Sequence, residues 1–330
     1  MLDGIVLSLS LLAAHCRPIL GQASRPCTIQ AKNDTAGYMS AYDPHDFLAQ
    51  EAYPHSGLLR LFSGIVLLFI GTVALQVALV RVMERAGFGP LLRDSISGAT
   101  AEGTLLALFT FVIPFMVLWV VLRGLHNRAI SGVLGPIPFA LRDFFRVMIA
   151  LVLFAAVILM LPVPEAMRPI SQLPFSTWLM WLPFALVGLL IQVSCEEFIF
   201  RGYMQSQLSA RFTNPAIWIF VPSFLFGLVH YAPSIYGENA IFVAAWAFLF
   251  GLAAADITAR SGSLGPAIAM HFVNNIIGIL IVGTPGHLSG LALSVVPFGP
   301  DNVELVRHAL MIEMPALFCM WLAARVAIRR

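Results

Sequence analysis

Long stretches without a single charge alternate along this chain with short segments carrying arginine. That spacing predicts helices of membrane length, not the one-sided apolar stripes of a soluble domain. The clearest runs are 61–80, 104–122, 147–161, 178–195, 264–282 and 309–324. Two shorter runs, 216–229 and 240–255, are read as further spans because their neighbours must pack compactly. The pattern predicts an all-α fold, a polytopic transmembrane bundle of about eight helices. Small residues at 250–255 suit a close helix contact, and the short apolar run 288–298 is read as re-entrant.

Composition supports the same picture. Of the 330 residues, 59% are hydrophobic and 11% charged, where a soluble domain carries about 25% charged residues. A net charge of +2 argues against nucleic acid as a partner. Four cysteines, at 16, 27, 195 and 319, show neither CxxC spacing nor the density of a disulfide scaffold. Residues 4–14 are apolar but too short to span, and they follow Asp3 instead of a basic leader. Residues 1–56 are therefore read as a weakly structured N-terminal extension, with a cleaved signal as the alternative. On that reading, deleting 1–56 leaves activity intact.

Arginines set the expected orientation. Arg123, Arg128, Arg142, Arg146, Arg211, Arg260, Arg325, Arg329 and Arg330 fall on one side of an eight-span bundle, taken as cytoplasmic, and Glu165, Glu238, Asp301 and Glu304 fall on the other. Arg81, Arg85 and Arg93 break the rule. Both termini are then cytoplasmic, in a plasma (inner) membrane.

Ionisable groups at membrane depth are costly and point to function. They cluster in three places: Glu196-Glu197 with Arg201, Phe226 with His230, and His271 with Asn274 and Asn275. On a helix, Glu197 and Arg201 are four apart with the acid first, the favourable order for an ion pair. Glu196 points about 100° away and stays free for chemistry. His271 and Asn275 share a face, which Asn274 does not. Glu196 and His230 each lie seventeen residues from Thr213 at a turn, so antiparallel helices would bring them to one height, about 10 Å inside the cytoplasmic face. The polar stretch 203–211 is expected to project past the membrane surface. Cys195 is read as a small buried hydrophobe, and His15, His45, His55, His126, His287 and His308 as solvated.

At these residues the sequence resembles the CPBP family of intramembrane proteases, the CAAX-protease or Abi family. The family pattern is EExxxR, FxxxH and HxxxN or HxxxD, met here by Glu196, Glu197 and Arg201, by Phe226 and His230, and by His271 and Asn275. The likeness covers about 178–282 and implies an intramembrane endopeptidase acting on a membrane-attached, CAAX-type and conceivably prenylated polypeptide. It implies that Glu196 and His230 activate water, that His271 and Asn275 form the oxyanion hole, and that Glu197, Arg201 and Phe226 support them. The preferred reading needs no cofactor; the alternative is a zinc site on Glu196, His230 and His271. The expected organisation is an extension at 1–56, accessory helices at 57–177, a catalytic membrane domain at 178–283, and a loop with a last helix at 284–330. Rival readings are a non-catalytic scaffold or immunity-type protein, and a proton-coupled transporter, which would favour inverted repeats that this chain lacks.

Overall fold

The computed structural model describes residues 40–329. Its frame is eight helices: α1 (Leu58–Arg85), α2 (Ala101–His126), α3 (Ile137–Ile158), α4 (Phe175–Ser209), α5 (Pro215–Val229), α6 (Ala240–Ser261), α7 (Gly265–Ile281) and α8 (Val303–Ile328). Each of the eight charge-free runs read as spans lies largely on one of them. Five segments, containing α1, α2, α4, α6 and α8, are long and apolar enough to cross a membrane, and α5 and α7 are shorter apolar helices. The protein is a multi-pass helical membrane bundle.

Local chemistry accounts for the helix ends. The Thr100 side chain accepts from the Gly103 N–H to start α2, and Asn302 accepts from Leu305 to start α8. Asn214 caps α5, with Pro215 in the first helical position, where a missing N–H costs nothing. α2 is interrupted at Thr110–Phe111 because Pro114 has no N–H for the Thr110 carbonyl, which takes the Ile113 N–H instead. α3 begins ten residues before the charge-free run: Asp143 is buried and accepts from Arg142 Nε at 2.7 Å, so the charges ride on its first turns as a neutralised pair.

Helix position follows surface chemistry. Only 6% of the apolar window of α1 is buried inside the protein, against 50% for the segment holding α6. Leu59, Phe69 and Val82 on α1 point outward, as a lipid-facing helix requires. α4, α6 and α7 hold most of the buried residues, whereas α5 buries Trp218 and Phe226 and turns Phe220, Phe224 and Leu228 outward. α5 and α6 approach so closely that a Cβ on Gly227 would lie 2.8 Å from the Ala244 carbonyl oxygen. Gly265 at the start of α7 likewise sits directly on the Ala140 carbonyl of α3. Small residues permit such backbone contact, which drives helix association where water cannot.

Four expectations need correction. Residues 40–56 of the presumed weakly structured extension are folded into short turns, Asp43–His45, Asp46–Ala49 and Tyr53–His55, and packed on the bundle; residues 1–39 lie outside the described residues. Leu48, Ala49 and Ala52 are buried there, and the Tyr42 hydroxyl donates to Asp256 of α6 at 2.7 Å. The polar stretch 203–211 does not project free: Tyr203, Gln205, Ser206 and Gln207 are buried. They are polar because they face a buried polar network. Tyr203 Oη lies 2.8 Å from His126 Nε2, and Arg128 donates to Ser206 Oγ and to the Leu48 carbonyl, both at 3.0 Å. His45 and His126, read as solvated, are buried in this layer. Segment 288–298 is no helix: Ser294–Val295 pairs antiparallel with Ile170–Ser171 and parallel with Val282–Gly283 in a small sheet at the opposite end of the bundle.

Candidate active site

α4 supplies most of the charged groups. It is α-helical through Glu197 and widens to π geometry over Phe198–Gln205. A second π stretch, Ile276–Ile281, follows Asn275 on α7. Such π turns are rare inside α-helices and frequently mark functional sites.

Glu197 and Arg201 form the pair that their spacing anticipates, Oε1 to Nη1 at 3.0 Å, and both side chains are fully buried. The Arg201 Cζ also lies 4.4 Å from the centre of the Phe226 ring, whose negative face offsets part of the charge. Glu197 does more than the spacing implied. Its Oε1 also accepts from His271 Nδ1 at 2.8 Å, tying α7 to α4. With its Nδ1–H so engaged, His271 turns Nε2 towards Glu196 Oε2, 3.6 Å away.

Glu196 is separate from the ion pair. Its Oε1 accepts from Gln192 Nε2 at 2.8 Å, whereas Oε2 is buried without a hydrogen-bond partner among the described residues. Gln192 Oε1 in turn accepts from Asn275 Nδ2 at 2.9 Å, and Asn275 Oδ1 accepts from Asn274 Nδ2 at 3.2 Å. Asn274, off the His271 face, thus joins the group through its neighbour.

His230 closes α5. Its Nδ1 lies 2.7 Å from the Phe226 carbonyl. A carbonyl can only accept, so Nδ1 carries the proton and Nε2 keeps its lone pair. Among the described residues no hydrogen bond joins His230 to Glu196 or His271. It reaches them through Phe226, whose ring centre is 4.5 Å from that of His230 and 5.9 Å from that of His271. Phe226 is the hub of the site, packed also on Phe200 and Phe250.

Several participants escaped the reading of the sequence. Gln192 had a signal, being a lone amide one helical turn before Glu196. His287 had none. It sits in the loop after α7, edge-on to Tyr236 at 5.6 Å. Burial pushes its imidazole pKa down, and the nearby His230 lowers it further. Cys195 is fully buried, in keeping with a small hydrophobe. Among the described residues no group of three or more His, Cys, Asp or Glu side chains is placed to hold a metal ion.

All of these motif residues lie in one stretch of chain. Residues 174–277 match the family model described as type II CAAX prenyl endopeptidase Rce1-like. Over this segment the chain is similar to that family. The Rce1-like segment runs from the start of α4 into the π stretch of α7 and contains Gln192 and every site residue named above except His287. The uncharacterized protein YyaK of Bacillus subtilis (strain 168) is 28% identical over 176 residues, which cover 51% of this chain and 56% of that protein. The chain thus spans about half the length of that curated relative. No solved structure matches it.

Proposed function

We propose that this protein hydrolyses a peptide bond inside its membrane core, in a membrane-attached polypeptide of CAAX type. The observation that carries the reading is the pairing of Glu196 Oε2, free of any partner among the described residues, with a His271 ring anchored 3.6 Å away by the buried Glu197. Water is a poor nucleophile until a positioned base removes its proton. Glu196 is that base, and His230 Nε2 accepts the second hydrogen bond of the water and orients it. Attack makes a tetrahedral oxyanion, which needs donors already in place. Asn275 Nδ2 has one N–H beyond the bond to Gln192. His271, held by Glu197 through Nδ1, supplies the other donor to the oxyanion from Nε2. Glu196 then returns its proton to the leaving amine. No step is routed through a metal.

We also assign the arginine-rich end of the bundle, with residues 40–56 and the end of α8, to the cytoplasm of a plasma (inner) membrane. A CAAX-type substrate would reach the site from there.

The test is cleavage of a fluorogenic prenylated CAAX-type peptide by detergent-purified protein. Wild type is expected to cleave, and Glu196→Gln to lose about 10²- to 10⁴-fold in kcat, the range for a general base. A strong chelator is expected to leave the wild-type rate unchanged. Equal rates for wild type and Glu196→Gln would overturn the proposal.

A further inference from the structure

Gln192 is an amide near the end of the apolar run that begins α4. A polar side chain at membrane depth needs partners for both its ends, and this one has them. Its Nε2 donates to Glu196 Oε1 at 2.8 Å, and its Oε1 accepts from Asn275 Nδ2 at 2.9 Å. The orientation is fixed by chemistry at both ends. A carboxylate only accepts, so the Gln192 nitrogen must face Glu196. Asn275 has its oxygen engaged by Asn274 Nδ2, so its nitrogen must face Gln192.

The result is one polarised chain, Asn274 to Asn275 to Gln192 to Glu196, with every hydrogen bond donated towards the carboxylate. We infer that Gln192 is a positioning residue that sets the Glu196 carboxylate and the Asn275 amide as a single unit. This rests on the peptidase reading above. Gln192 occupies one carboxylate oxygen and one amide N–H. What remains is Glu196 Oε2 and the second Asn275 N–H, the atoms assigned to water and to the oxyanion. Because Gln192 and Glu196 share α4 whereas Asn275 is on α7, the bridge also fixes the base against the oxyanion donor across two helices. Its contribution is geometric, and geometry of this kind appears in kcat more than in substrate affinity.

A packing tie between α4 and α7 would use the same two bonds, so the experiment must separate the roles. Gln192→Met keeps length and volume and removes both hydrogen bonds. The expected result is a loss of roughly 10- to 100-fold in kcat with KM within about threefold of wild type and an unchanged melting temperature in detergent. The kcat penalty should shrink in an Asn275→Ala background, where half of the bridge is already gone. Wild-type kcat in Gln192→Met would overturn the inference while Glu196→Gln remained dead. So would a melting temperature that fell in step with kcat and recovered activity when the protein was cooled.

A second arm needs no cleavage and keeps the inference separate from the peptidase reading. Dicyclohexylcarbodiimide labels carboxyl groups inside membranes, and peptide mass spectrometry locates the adduct. Loss of the bridge frees Glu196 Oε1, so labelling at Glu196 should rise at least about threefold in Gln192→Met, relative to Glu313 on α8 as internal reference. An unchanged ratio would overturn the inference even if the wild type cleaved no peptide.

Discussion

Arg201 holds a positive charge where neither water nor lipid headgroup reaches it. Among the described residues only its Nη1 has a hydrogen-bond partner, Glu197, and the face of Phe226 offsets part of the remaining charge. Taking such a pair out of water is expensive, and removing one member strands the other. Arg201→Met alone is therefore expected to cost about 3–5 kcal/mol of stability, read by denaturation in detergent. Glu197→Leu with Arg201→Met should recover part of that loss, because no charge is left unpaired. Cleavage should stay absent in the double variant, since His271 loses the carboxylate that orients it. Recovered cleavage would show that Glu197 serves Arg201 alone.

The segment 40–56 gives its own test at the scale of elements. It seals the arginine-rich end through Tyr42 on Asp256, Leu48 on Arg128, and the His45 ring stacked on Trp218 at 4.8 Å. Asp256 also accepts from Arg260 and from Trp321, so α6, α8 and this segment meet at one carboxylate. Deleting residues 1–56 is thus expected to lower the melting temperature and the activity together, contrary to what a loose extension implies. Burial pushes the His45 pKa down to about 4. A folded pKa below the unfolded value of about 6.5 means that the neutral ring is favoured, and its stabilisation is complete above that pH. Stability is then lost as pH falls from about 6.5 towards 4, by up to about 3 kcal/mol. Hydrogen exchange of residues 40–56 should rise over that window in wild type and not in His45→Phe, which keeps the stack without the titration. Arg128 stays charged throughout, since burial brings its pKa down only to about 10.

For the whole molecule, the Rce1-like segment is the inner half of the bundle, with α1 to α3 and α8 packed around it. Orientation is a property of that whole. Cysteines introduced at Arg211 and at Glu238 lie at opposite ends, after α4 and before α6. In intact cells of a variant without native cysteines, a membrane-impermeant maleimide is expected to label position 238 and to spare 211 until the membrane is opened. The reverse pattern would invert the assigned topology and place the arginine-rich end outside.

Hydropathy alone located all eight helices, because in lipid a backbone must satisfy its own hydrogen bonds and each span must be long and free of charge. Helical spacing alone paired Glu197 with Arg201 and set Glu196 apart, since residues four apart on one helix meet whatever surrounds them. Contacts between helices were beyond such reasoning. That Glu197 also holds His271, that Gln192 joins Glu196 to Asn275, and that His287 comes near His230 depend on how α4, α5 and α7 cross. The polar stretch 203–211 shows the same limit: its residues suit water and a buried hydrogen-bond network equally well. Only packing against His126, Arg128 and residues 40–56 decides that they are inside, because hydrogen-bonding capacity is a property of a residue, whereas the partner that satisfies it is supplied by the fold.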